Sequence, residues 1–173
     1  MRKKVVLYDV ELDDLKHPKL VARKRRTYET EDEEPFDHIA VARMLCKCFR
    51  LADMAEEYVY AMAFTTRGGL LGVFELAHGT YNSAKMTFRE LMQRLLLVGA
   101  SGYILAHNHP SGDPTPSQAD IDLCGHAVQM GKDMGIPCLD CIIVGRDLSD
   151  GGCLVASLRQ ANLMTPEGKA NKN

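Results

Sequence analysis

Two histidines and a carboxylate have the spacing of a metal site. His107 and His109 lie two residues apart in an extended stretch, where alternate side chains point to the same side, so both imidazoles can reach one ion. Asp120 follows at the start of a predicted helix and can supply a third ligand. Three protein ligands leave one coordination position open for water, as in catalytic zinc sites. The pattern predicts one Zn²⁺ per chain and a hydrolase.

Each part of this pattern also has an interpretation without a metal. Ser117 and Asp120 fit a capping box at the start of a helix, and His-x-His occurs often by chance. The arrangement favours the interpretation as metal ligands, because an apolar strand-like run, residues 103–106, leads directly into the two histidines. Three prolines stiffen the segment that follows. We refer to residues 107–117 as the histidine loop.

The order of these residues resembles the JAMM signature of the JAB1/MPN metalloprotease superfamily. That signature has His-x-His-Pro, then a Ser separated from the second His by seven residues, then an Asp separated from that Ser by two residues. The fuller string from Ala106 to Ile121 is closer still to the RadC-like branch. The similarity extends over about residues 37 to 163, with Thr87 and Cys141 as departures. The other segments that resemble the RadC-like branch are Gly79 to Ala84, Phe88 to Glu90, Leu139 to Gly145 and Ser157 to Gln160.

The resemblance implies a general base and an oxyanion donor. In the similar families the base is a glutamate at the mouth of an upstream strand, which corresponds here to Glu57, directly before the apolar run 58–64. Glu56 is the alternative, expected on the opposite face of the strand, and a plain surface glutamate is the other interpretation of either residue. Ser117 matches the serine that donates its hydroxyl to the developing oxyanion.

Three further polar residues near the motif are expected to have lesser roles. Asn108 and Asp113 are expected to shape the loop or support the ligands rather than bind metal. His126, nine residues past Ser117, is expected to be a surface or core histidine.

The elements that must position these residues alternate between strands and helices. This order predicts an α/β domain with a mixed β-sheet. The resemblance narrows it to the MPN/JAB1-like (cytidine-deaminase-like) fold, with helices flanking the sheet and the metal at its edge. The pattern predicts strands 3–10 and 19–28, a helix from Pro35 to about Ala55, strands 58–66 and 70–78, a helix between Thr87 and Gly99, a strand into His107, a helix 117–134 and a strand 138–144. Residues 1–35 are interpreted as a hairpin and charged linker, 36–165 as the RadC-like domain and 166–173 as a flexible tail.

Composition narrows the class of protein. The chain has 173 residues, 46% of them hydrophobic, and a net charge of −2, which leaves no clear nucleic-acid-binding region. A solvated hairpin explains the basic run 23–26 and the acidic run 29–34 better than a nucleic-acid patch does. The sequence has no apolar run of membrane-spanning length and no signal segment, so we expect a cytoplasmic protein that is not bound to a membrane.

The six cysteines are expected to be reduced thiols. Cys138 and Cys141 have the spacing of half a zinc clip but fall inside a predicted strand. The other half would be the 46–48 pair, one residue short of the usual spacing. Cys124 and Cys153 are expected to be small core residues.

Two functions from different classes remain open. The first is a zinc metallopeptidase that cleaves a peptide or isopeptide bond in a peptide or protein substrate. The second is a DNA-repair-associated accessory protein with an idle or structural metal site, since RadC-like proteins carry a DNA-repair label. Nothing in residues 1–35 resembles the helix-hairpin-helix region of fuller RadC-like proteins, and this favours the enzyme.

Overall fold

Within the residues that the structure describes, seven strands form one mixed sheet with helices on both faces. The sequence predicts the mixed sheet and six of these strands. The computed structural model describes residues 2–29, 37–79, 86–149 and 151–165. The strands are ordered β2-β1-β4-β3-β5-β6-β7. In chain order the elements are β1 (Arg2–Leu12), β2 (Pro18–Glu29), α1 (His38–Phe49), a 3₁₀ turn (Leu51–Asp53), β3 (Glu57–Phe64), β4 (Leu70–Gly79), α2 (Phe88–Val98), β5 (Gly102–Asn108), α3 (Gln118–Asp133), β6 (Cys138–Arg146) and β7 (Cys153–Ser157).

The central strands are buried on both faces, so their sequences are nearly continuous apolar runs. On one face, Met62, Ile104 and Ile142 pack with α1. On the other face, the alternate residues of the same strands pack with α2 and α3. Because side chains alternate along β5, His107 points to the α3 face and Asn108 to the α1 face.

The first helix is shorter than predicted. It begins at His38, after Asp37 accepts a hydrogen bond from the Ala40 amide at 2.9 Å, and it ends where Arg50 adopts a left-handed conformation with φ 60°. The predicted start at Pro35 lies outside the described residues. The predicted end at Ala55 is wrong. The 3₁₀ turn that follows buries Leu51 in the same core, so the apolar pattern continues although the helix has ended.

The N-terminal hairpin extends the sheet, because β1 pairs with β4 in parallel at Leu7 and Val73. Much of its basic run has partners within the molecule. Arg23 forms ion pairs with Glu75 and Asp9, and the Lys24 ammonium lies 5.9 Å from the ring centre of Phe49. No helix in the described ranges combines the length and apolar character needed to cross a lipid bilayer.

The sheet separates the cysteines that a second zinc site would require. Cys141 lies under α3, whereas Cys48 lies under α1 on the opposite face, so the proposed four-cysteine clip does not form. Cys124 is buried as expected. Cys153 is only half-buried, and its sulfur lies 3.0 Å from that of Cys46. It opens β7, a short edge strand that the sequence interpretation missed.

Candidate metal centre

Three potential ligand atoms converge beside the end of β5. His107 Nε2 lies 3.0 Å from Asp120 Oδ1, and His109 Nε2 lies 3.4 Å from Asp120 Oδ2. The two Nε2 atoms are 3.2 Å apart. Each of the three residues offers one ligand atom, and these atoms all lie within 4.8 Å of one another. The structure therefore brings together the three residues that the sequence nominates as ligands.

The donor set fits a small divalent ion. Donors about 2.0–2.1 Å from a tetrahedral ion stand about 3.3–3.4 Å apart, close to the separations found here. The far side of the His109 ring is fixed, because its Nδ1 lies 2.8 Å from the backbone carbonyl oxygen of Asp113. A proton on Nδ1 leaves the Nε2 lone pair free to face the site, which is the usual arrangement of a metal-ligating histidine. Nitrogen donors of this kind suit Zn²⁺ better than Mg²⁺.

The third ligand is held by the first turn of α3. The Ser117 side chain accepts from the Asp120 amide, and Asp120 Oδ2 accepts from the Ser117 amide at 2.7 Å, which completes a capping box. Asp120 is 8% exposed. Burial by itself would raise the pKa of its carboxyl group, but hydrogen bonds from the two histidines and Ser117 outweigh burial and hold that pKa well below its ordinary value. The capping box and the metal site thus use the same carboxylate.

Asn108 joins the histidine loop to the start of β3. Its side chain is 1% exposed and lies across two elements. Its Oδ1 accepts from the Tyr58 amide at 2.8 Å, and its Nδ2 donates to the Glu56 carbonyl at 3.0 Å and to the Met54 carbonyl at 3.4 Å. The amide therefore holds the backbone on both sides of Glu57. We expected Asn108 to shape the loop or support the ligands; its side-chain contacts are with the backbone at the start of β3.

Glu57 lies at the edge of the same site. β3 and β5 are antiparallel and pair Val59 with His107, so Glu57, two residues before Val59, lies opposite His109, two residues after His107. Both line a cleft of about 410 Å³. The neighbouring Asp120 carboxylate raises the pKa of His109 despite partial burial, and the charge of Glu57 adds to this effect.

Glu56, expected on the opposite face, also lines the cleft, because it precedes the regular strand at a bend where strand alternation does not apply.

Ser117 and His126 occupy different surroundings. Ser117 lines the cleft, but its hydroxyl donates to Asp120 Oδ2 at 2.6 Å. The hydroxyl would have to rotate away from Asp120 to reach a substrate oxygen. His126 is exposed and meets the ring of Phe88 edge-on, so it is a surface histidine, one of the two expected alternatives.

A close contact between two glycines holds the histidine loop against β6. The Gly112 carbonyl accepts from the Arg146 amide at 2.9 Å, and the His109 amide donates to the Val144 carbonyl at 2.9 Å. A Cβ atom on Gly145 would lie 2.1 Å from the Gly112 carbonyl oxygen. Gly112 itself has φ +87°, which favours glycine. This contact was not predicted from the sequence. The glycines at positions 112 and 145 are the only sequence feature that could have indicated it. Asp113 shapes the loop as expected, since its carboxylate accepts from Thr115.

Comparison with known proteins agrees with this geometry. The profile of the RadC-like JAB domain matches residues 37–163. The chain belongs to this family. The match begins at the N-cap of α1 and ends after β7, so it contains the whole histidine loop, the start of β3 and α3. A JAMM-like metal site formed by His107, His109 and Asp120 is consistent with this membership.

Several bacterial relatives carry the name UPF0758 protein. The one from Moorella thermoacetica is 37% identical over 124 residues, which is 72% of this chain and 51% of the relative. One from Stenotrophomonas maltophilia is 41% identical over 96 residues, covering 56% and 41%, and one from Desulforudis audaxviator is 40% identical over 89 residues, covering 51% and 39%. The matched region is about two fifths to half the length of these relatives.

Proposed function

We propose that this protein is a zinc-dependent hydrolase that cleaves a peptide or isopeptide bond. The observation that supports the proposal best is the convergence of His107, His109 and Asp120 beside a cleft that His109 and Glu57 both line. Three ligands would leave one coordination position for water, and the cleft gives an extended substrate access to it. A zinc ion bound there would polarise the scissile carbonyl and acidify water.

The protein's own residues would supply the proton transfers. Glu57 would accept a proton from the attacking water and deliver it to the leaving amine. Asn108 would keep Glu57 in place, because it holds the backbone of the two neighbouring residues. Ser117 would turn its hydroxyl from Asp120 toward the carbonyl oxygen as negative charge develops there. Asp120 would hold the ion, and its carboxylate keeps the capping hydrogen bond from the Ser117 amide.

The test is cleavage of a peptide and isopeptide library by zinc-loaded protein, with Glu57→Gln as the decisive variant. The amide keeps the shape of the side chain but cannot accept the proton, so cleavage should fall by a factor of roughly 10²–10⁴ while zinc content stays unchanged. Glu56→Gln changes the alternative base in the same cleft and should be nearly silent, because Glu57 and not Glu56 lies opposite His109; loss of cleavage in Glu56→Gln alone would make Glu56 the base. Equal cleavage by wild type and Glu57→Gln would remove the glutamate-assisted mechanism. Salt-dependent retention on DNA without cleavage would favour the accessory-protein alternative instead.

A further inference from the structure

Two thiols meet on the α1 face of the sheet, where the proposed hydrolase mechanism does not use them. Cys46 lies in α1 and Cys153 is the first residue of β7, 107 positions later in the chain. Their sulfur atoms are 3.0 Å apart. A disulfide needs about 2.05 Å between its sulfurs, so the two atoms would have to approach by only about 1 Å. Both residues are half-buried, so one side of the pair remains accessible.

The pair opens into a cleft with cationic walls. The cleft has a volume of about 280 Å³ and contains both cysteines. Its other lining residues are Arg43, Lys47, Arg50, Ala52, Asp53 and Gly151. Asp53 is the one carboxylate among these lining residues, and it is paired with Arg50 at 3.2 Å and also with Arg146. Among the described lining residues three are basic and one is acidic, a composition that favours a thiolate and an anionic reaction partner.

The two thiols are not equivalent. The hydrogen bond from Cys46 lowers the pKa of Cys153 despite partial burial, and the charge of Arg43 lowers it further. The same hydrogen bond, together with burial, raises the pKa of Cys46. Both thiols reach the cleft, and the positive charge of Arg43 beside Cys153 favours Cys153 as the first nucleophile and Cys46 as the thiol that reacts second.

We propose that Cys46 and Cys153 form a redox-active dithiol site that anionic low-molecular-weight disulfides, of which glutathione disulfide is the probe, oxidise to an intramolecular disulfide. The Cys153 thiolate attacks one sulfur of the probe, breaks its S–S bond and releases one glutathione thiolate, which takes a proton from water. Cys46 then loses its proton and attacks the Cys153 sulfur, releasing the second glutathione. The protein dithiol is oxidised, and one glutathione disulfide is reduced to two glutathione molecules.

The other four cysteines provide internal controls. Cys48, Cys124 and Cys141 are buried. Cys138 is half-buried and lies 3.8 Å from Cys141, so sulfur proximity alone would favour this pair as well. Burial raises the pKa of the Cys141 thiol, and its hydrogen bond with Cys124 raises it further. The 138–141 pair therefore has one buried member whose thiol keeps its proton, and its sulfur atoms stand farther apart than the 3.0 Å of the 46–153 pair, so it should stay reduced under conditions that oxidise the 46–153 pair.

The experiment treats the reduced, folded full chain with glutathione disulfide and locates the products by peptide mass spectrometry. We expect loss of two hydrogens and a cross-link between the peptides of Cys46 and Cys153. Cys46→Ser should stop at a glutathione adduct on Cys153, whereas Cys153→Ser should form no adduct on Cys46 at the same time. Circular dichroism of both variants shows that they are folded before the comparison is made.

A second experiment, on the wild-type protein, compares an anionic with a cationic disulfide and so tests whether the positive charge of the cleft affects the reaction. Glutathione disulfide should oxidise the pair at least about tenfold faster than the cationic disulfide cystamine at low salt, and the ratio should shrink in about 1 M salt. A 46–153 pair that stays reduced, or a cross-link through 138 and 141 instead, would overturn the proposal. A faster reaction with cystamine would overturn the anionic preference. None of these outcomes depends on the metal site.

Discussion

Replacing Asn108 by alanine should lower the free energy of unfolding substantially, although Asn108 lies at the end of β5 and not in the middle of the apolar core. The substitution removes the acceptor of the Tyr58 amide, at 2.8 Å, and the donor to the Glu56 carbonyl, at 3.0 Å. Asn108 is 1% exposed, so water cannot readily take its place. A buried polar group left without a partner costs about 1–3 kcal/mol, so two such groups predict a loss of about 2–6 kcal/mol.

Urea unfolding of the metal-free protein measures this loss without reference to any substrate. The expected result is a lower midpoint with an unchanged dependence on urea concentration, since the folded and unfolded states keep their compactness. Gln129→Ala is the matched control, because it removes a side-chain amide whose 2.8 Å bond to Asp133 lies at the exposed surface of α3. This control should change the free energy of unfolding by less than about 0.5 kcal/mol. An Asn108→Ala protein as stable as the control would show that the amide does not hold β3.

The remaining predictions concern the metal and the loop that carries its ligands. Removing the metal with a chelator should leave the far-UV circular dichroism signal intact at room temperature, because both faces of the sheet have apolar cores; loss of the signal would make the site structural. Gly145→Ala should weaken zinc binding by about 10–100-fold in a chelator competition, because the new Cβ would lie 2.1 Å from the Gly112 carbonyl oxygen and displace the histidine loop. Gly69→Ala, whose Cβ would meet only the Thr65 side chain, at 3.1 Å, should bind zinc normally.

Local patterns predicted most of the fold and nominated the three candidate ligands that the structure brings together. Thr87 and Ser117 cap the helices they were expected to cap, and Gly99 ends α2 in a left-handed conformation. His107, His109 and Asp120 could be nominated because their spacing is short and lies at the junction of a strand, a loop and a helix. In each case the residues that determine the local geometry are neighbours in the sequence.

Contacts between distant segments could not be predicted in this way. The bridge from Asn108 to the start of β3 spans about fifty residues, and no periodicity reports it. The end of α1 was misplaced because Leu51 continues the apolar pattern beyond the left-handed turn at Arg50. β7 was missed because five residues at a sheet edge, partly exposed, give little alternation. Glu56 was expected on the face of the strand opposite Glu57. It lies in a bend before β3, where side chains do not alternate as they do in a strand, and so it lines the same cleft.

The metal content of freshly purified, untagged protein tests the central claim most directly. Elemental analysis should find one zinc per chain in the wild-type protein and in His126→Ala, whose side chain is exposed beside Phe88. His107→Ala, His109→Ala and Asp120→Ala should each abolish bound zinc, because each removes one of three converging donors. A wild-type protein that contains no metal and does not bind added zinc would contradict the ligand assignment, and the proposed hydrolase would fall with it.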